Sequence, residues 1–148
     1  LIKWHMLKKR GFTLIELLVV LAVIGVLSTL AILAIGSTNR KARDIKRLAD
    51  IGRLQNNLYL FYTEQNSYPI GKNVILGLGN ARCLGAQGWG AAGCANPIMS
   101  VVPMSPDEAT PYVYTGSSST YVITTKLEGE MDGLKGTVKA TPSSMSGE

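Results

Sequence analysis

Lys8-Lys9-Arg10-Gly11-Phe12-Thr13-Leu14-Ile15-Glu16 runs directly into nineteen uncharged residues, Leu17 to Ile35, of which Ser28 and Thr29 are the most polar. A run of that length crosses a hydrocarbon core of about 30 Å as a helix. The cations immediately before it predict a cytoplasmic N-terminus and an exported C-terminal part. Arg40, Lys41, Arg43, Lys46 and Arg47 follow the run and argue weakly the other way. A secretory signal peptide has a shorter apolar region and a small-x-small cleavage site after it, whereas Gly36-Ser37-Thr38-Asn39 offers a poor one. A plain signal anchor matches the hydropathy but leaves Glu16 unexplained. A carboxylate within a membrane segment costs about 2.5 kcal/mol or more, so it marks a function or a partner.

The net charge of +5 is uneven along the 148 residues. Four of the fifteen basic residues (Lys3, Lys8, Lys9 and Arg10) precede Phe12, leaving eleven against ten acidic ones, a net of +1. The high isoelectric point therefore belongs mainly to the leader and gives little support to nucleic-acid binding. The single histidine, His5, also precedes Gly11. The remainder has no imidazole for acid–base work or zinc.

The string K-K-R-G-F-T-L-I-E-L-L-V-V-L-A-V-I-G resembles the class III signal sequence of type IV pilins and type II secretion pseudopilins. In that family a prepilin peptidase cuts after the glycine and methylates the new N-terminal residue. The resemblance implies Gly11 as the last leader residue, Phe12 as the methylated N-terminus and Glu16 as the fifth mature position, with Lys8, Lys9 and Arg10 as leader charges. Its shortest leaders look like Met6 to Gly11, so residues 1–5 read either as an upstream extension or as part of a start at Leu1. Glycine allows close backbone approach at a membrane-embedded protease. Cleavage frees an amine on Phe12, and the Glu16 carboxylate is offset by the Phe12 amine of a neighbouring subunit.

Beyond Ile35, Ala42, Ile45, Leu48, Ile51, Leu54, Leu58 and Phe61 or Tyr62 recur at spacings of three or four, a helical apolar stripe. Charges fall on the other faces, with Asp44/Arg47 and Asp50/Arg53 as i,i+3 pairs. Pro69 stops the helix near Ser67. The whole predicts one helix of about 55 residues, roughly 80 Å long. Its first half cannot be buried in a domain of this size and lies in lipid or against copies of itself. Gly25, Gly36 and Gly52 are soft points. In many pilins a glycine and a proline in the apolar half coincide with local unwinding, but here Leu33 stands where the family often has the proline. The basic cluster from Arg40 to Arg53 reads as a solvated face with contacts to lipid headgroups or neighbouring subunits, since acidic residues interrupt it and it contains no aromatic for base stacking.

From Tyr68 to Pro111 the chain is rich in glycine and proline. Cys83 and Cys94 read as a disulfide in an exported domain, with two free thiols as the alternative. The enclosed Gly88-Trp89-Gly90-Ala91-Ala92-Gly93 has the form of a dinucleotide fingerprint but follows no expected strand, and it reads as a flexible surface loop. Tyr112–Tyr114, Tyr121–Leu127 and Thr137–Lys139 are strand-like. The tail from Pro142 is expected to be loose. Glu128, Glu130 and Asp132 alternate like part of a calcium loop, although Lys139 stands where an EF-hand needs an acid. The resemblance to pseudopilins, which bind calcium in a C-terminal loop, keeps them as weak candidates, beside the plainer reading of a solvated acidic turn.

These readings predict an α+β protein, a pilin-like lollipop, with an antiparallel sheet domain packed on the second half of a long helix. The expected segments are a cleaved leader (1–11), a transmembrane and filament-core helix (12–36), its amphipathic second half (37–67) and a β-rich domain (68–148) with a disulfide loop (83–94). The resemblance implies a structural subunit, not an enzyme, polymerised into a helical filament of its own copies for adhesion, motility or DNA uptake. Its implied partners are prepilin peptidase, an inner-membrane assembly platform, minor pilins and, before assembly, membrane lipid. Direct nucleic-acid contact is not expected, and no cofactor is expected apart from the weak calcium candidate. It implies an inner-membrane single-pass precursor and then an extracellular pilus. The alternatives are a major pseudopilin and an anchored extracytoplasmic binding module that never polymerises.

Overall fold

The computed structural model describes residues 11–147, apart from the side chains of Leu33 and Ala34; the leader cations Lys8, Lys9 and Arg10 lie outside the described residues. Helix α1 spans Leu14–Gln65. The chain divides into two compact units, one ending at Thr38 and the other beginning at Asn39.

In the first unit every described side chain from Phe12 to Ile32 is exposed, Phe12 to 81% and Leu14 to 82%. This part of α1 is long and apolar enough to cross a membrane. Ser28 and Thr29 donate their hydroxyls back to the Ile24 and Val26 carbonyls at 2.7 Å each, so neither offers a free donor to an apolar surrounding.

In the second unit eight strands follow the helix: β1 (Gly71–Ile75), β2 (Cys83–Gly85), β3 (Gly88–Gly90), β4 (Pro97–Met99), β5 (Val113–Gly116), β6 (Tyr121–Lys126), β7 (Thr137–Ala140) and β8 (Met145–Gly147). They build a five-stranded antiparallel sheet in the order β1-β5-β6-β7-β8 and a three-stranded one in the order β3-β2-β4. The small sheet lies in the stretch between β1 and β5, which pair with Ile75 opposite Val113. Period-two alternation turns Tyr121, Ile123 and Thr125 of β6 inward. With Tyr112, Tyr114, Val138 and Ala140 they are buried, and Ile51, Leu54, Leu58 and Phe61 of α1 belong to the same core.

Asn66 ends α1 in the left-handed region (φ 52°), its N–H bonded to the Tyr62 carbonyl at 2.8 Å; asparagine tolerates that conformation and serves as a helix terminator. Tyr114 donates its hydroxyl to the Pro69 carbonyl at 2.6 Å, tying the chain just beyond the helix to β5. A Cβ on Gly116 would lie 2.2 Å from that hydroxyl, so only glycine fits there.

Three expectations change. The tail is not loose: Met145–Gly147 pairs with β7, and Gln55 donates to the Thr141 carbonyl at 2.8 Å. The Gly88-Trp89-Gly90 stretch is a strand with Trp89 opposite Leu84, and Trp89 packs edge-on to Tyr114 at 5.0 Å. The inward face of α1 also begins differently. Ala42 and Ile45 are exposed, Ile45 to 52%, while Asp44, Arg47 and Asp50 are buried. The face is therefore Asp44, Arg47, Ile51, Leu54, Leu58 and Phe61, spaced three and four apart with charges at its first two positions.

Candidate functional site

At the start of α1 the Thr13 hydroxyl and Glu16 carboxylate form a reciprocal cap. Glu16 Oε2 accepts from the Thr13 N–H at 2.9 Å and from the Thr13 hydroxyl at 2.7 Å, while the Glu16 N–H donates to Thr13 Oγ1 at 3.3 Å. A helix leaves its first N–H groups without intrahelical acceptors, and in hydrocarbon each unmet group is expensive. Thr13 and Glu16 meet two of them from within the chain. Sequence reading gave Glu16 only an intermolecular role and gave Thr13 none. The signal was present, since Thr-x-x-Glu before an apolar run is a capping box. Phe12, Ile15, Glu16, Val19 and Val20 line a shallow apolar hollow on this end of the helix. Gly11 precedes the helix in exposed chain without regular structure.

The second cluster is a partly buried ionic network in the domain, centred on Arg47. Arg47, fully buried, donates Nη1 to Asp44 and to Glu128 at 2.8 Å each and Nη2 to Thr110 at 3.1 Å. Its Nε has no hydrogen-bond partner. Asp44 also accepts from the backbone N–H groups of Glu128 at 3.0 Å and Gly129 at 2.9 Å. Arg43 grips Glu128 through Nε at 2.7 Å and through its second nitrogen. The Arg43 and then the Arg47 hydrogen bonds hold the Glu128 carboxyl down at about 2. Asp50 takes Lys46 Nζ at 2.7 Å and the Tyr112 hydroxyl at 3.0 Å, where an Asp50/Arg53 pair was expected. Burial, and secondarily the Asp50 charge, push the Tyr112 phenol far up, so it remains a donor. The basic cluster is thus only partly a solvated face.

The calcium candidates are not assembled. Glu128 faces Arg43 and Arg47, Asp132 sits in a turn at φ 52°, and among the described residues no three potential ligands cluster. Cys83 and Cys94 are joined in a disulfide with Cα atoms 6.1 Å apart, linking β2 to the segment before β4.

Residues 6–32 match the family model of the prokaryotic N-terminal methylation motif, the class III signal of type IV pilins and pseudopilins. The match covers the basic residues before Phe12 and most of the apolar run, and it does not extend into the domain. No curated protein and no solved structure matches the chain. The motif indicates a precursor of the pilin or pseudopilin type and implies prepilin-peptidase processing and filament assembly in general. With one long apolar N-terminal helix and antiparallel sheets after it, the chain has the α+β arrangement of such subunits.

Proposed function

We propose that this chain is a structural subunit of a type IV pilus-like filament, cut between Gly11 and Phe12, methylated on Phe12 and polymerised through α1. One observation carries the reading: Glu16 lies within an apolar helix segment whose described side chains are all exposed. Such a surface is stable in lipid or against other helices, and a lone carboxylate on it calls for a cationic partner. The free amine of Phe12 on an adjacent subunit supplies that charge. Glu16 Oε2 is committed to Thr13, so Oε1 is the oxygen offered to the neighbour. The subunit waits in the inner membrane as a single-pass protein and ends in the extracellular filament, where adhesion, motility or DNA uptake is its use.

A secretion pseudopilus is the second reading; the ties of Glu128 to Arg43 and Arg47, in place of a calcium loop, favour the pilus. The test is the N-terminal fragment mass of protein from the native membrane and from the sheared surface fraction. A chain beginning at methylated Phe12 in the sheared fraction supports the proposal, whereas an uncut chain retaining Lys8-Lys9-Arg10 overturns it. Glu16→Ala is expected to be processed but not to polymerise.

A further inference from the structure

We propose that Arg40 and Lys126 form a binding site for the phosphate of an anionic phospholipid headgroup. Together with Thr110, Leu127 and Glu128 they line an open cleft of about 420 Å³ in the second unit. Of the neighbouring cations, three are already occupied: Arg43 and Arg47 by Glu128 and Asp44, Lys46 by Asp50, while Lys41 does not line the cleft. Neither Arg40 nor Lys126 has a carboxylate partner among the described residues, and the one acid lining the cleft, Glu128, is met by two guanidinium groups.

Two features make this a built site. Asp44 accepts the backbone N–H groups of Glu128 and Gly129, so the chain just beyond Lys126, the last residue of β6, is fastened to α1 one turn beyond Arg40. The two cations are therefore held together by the fold, although 86 positions apart in sequence. An arginine fork and a lysine point charge suit the oxygens of a phosphodiester.

The source of the phosphate follows from position in the chain. Arg40 comes little more than one helical turn after Ile35, the last residue of the apolar run. With that run in a bilayer, Arg40 reaches the headgroup level. The inference rests in this respect on the membrane residence proposed above, and it assigns the cleft to the subunit before assembly.

The experiment uses the full chain in neutral detergent, with phosphatidylglycerol, phosphatidylcholine and inorganic phosphate as probes, and native mass spectrometry to count retained lipid. Phosphatidylglycerol is expected to be retained at least fivefold over phosphatidylcholine. Arg40→Gln and Lys126→Gln should each lower that retention about fivefold, the scale of one cation lost near an anionic surface. Lys41→Gln, a neighbour on the same helix that does not line the cleft, should leave it unchanged. Equal loss in Lys41→Gln would mean a diffuse basic collar and overturn the site. Displacement of the lipid by inorganic phosphate at equal concentration would overturn its assignment to lipid. Filament formation does not enter the readout, so a chain that retains phosphatidylglycerol but never polymerises upholds the cleft and sinks only the filament proposal.

Discussion

Thr13 and Glu16 cap the first turn of α1 from within the same chain, through three hydrogen bonds of 2.7 to 3.3 Å. The residue proposed to bind the neighbouring subunit therefore also holds its own helix start in shape, and the two roles separate by mutation.

Thr13→Ala removes the two hydroxyl bonds of the cap but leaves the carboxylate and its bond from the backbone N–H, and is expected to weaken the helix start by about 1 kcal/mol. Processing should persist and filaments should still form, in reduced amount. Glu16→Ala and Glu16→Gln should both be processed and yield few or no filaments. Electron microscopy of sheared fractions, with N-terminal mass as the processing control, checks this; abundant normal filaments from Glu16→Ala would remove the charge-pair argument.

Asp44→Ala leaves buried Arg47 short of a counter-charge and frees the loop at Glu128, and should destabilise the domain by about 3–5 kcal/mol. Arg53→Ala, on an exposed position of the same helix, should stay within about 0.5 kcal/mol. Urea unfolding followed by Trp89 fluorescence measures both, since the proposed cut after Gly11 takes away the other tryptophan, Trp4.

The acid response has a defined sign. Arg43 and Arg47 hold the Glu128 carboxyl at about 2, below its ordinary 4.5. The folded state thus binds fewer protons than the unfolded one between those values. The contribution of Glu128 is complete above about pH 5 and is lost as the pH falls toward 2. Urea midpoints taken across that interval should decline, and Glu128→Gln should flatten the decline.

Replacing Cys83 and Cys94 by serine opens a closed loop for which chain entropy gives about 3 kcal/mol. A comparable fall in unfolding free energy is expected, and the same fall on reduction of the unaltered protein.

Calcium is expected to raise the unfolding midpoint no more than equal magnesium does, because the Glu128 carboxylate is already taken by Arg43 and Arg47. A calcium-specific rise would restore Glu128, Glu130 and Asp132 as a site.

The sequence disclosed the parts whose physics is local. The apolar run and the three-four spacing of Ile51, Leu54, Leu58 and Phe61 announce a helix on their own, and alternation in Tyr121-Val122-Ile123-Thr124-Thr125 announces a strand. The start of the inward face was hidden because Asp44 and Arg47 are charged, and the groups that make their burial tolerable, Glu128, Gly129 and Thr110, lie far along the chain. Strand β1 was missed because Gly71-Lys72-Asn73 has no alternation and its register shifts before Val74. β2 and β3 were missed because glycine at both ends of β3 reads as loop, while the pairing that makes them strands comes from Leu84 and Trp89 meeting across the hairpin. At the N-terminus Gly11, Phe12 and Glu16 were visible as a motif, but the Thr13 cap was overlooked although it was written in the same nine letters.

Because Ile75 stands opposite Val113, the chain leaves the large sheet and returns to it at adjoining points. The 37 residues from Leu76 to Tyr112 are thus a single excursion between two adjacent strands, built into the core through Leu76, Leu84 and Tyr112 and tied to α1 by the Tyr112–Asp50 and Arg47–Thr110 hydrogen bonds. Ala91-Ala92-Gly93, an exposed tip between β3 and Cys94, is a place on this domain where an epitope or a fluorophore-bearing peptide can be inserted outside every strand. If the subunit polymerises, that tip offers a route to displaying a foreign sequence in many regularly spaced copies.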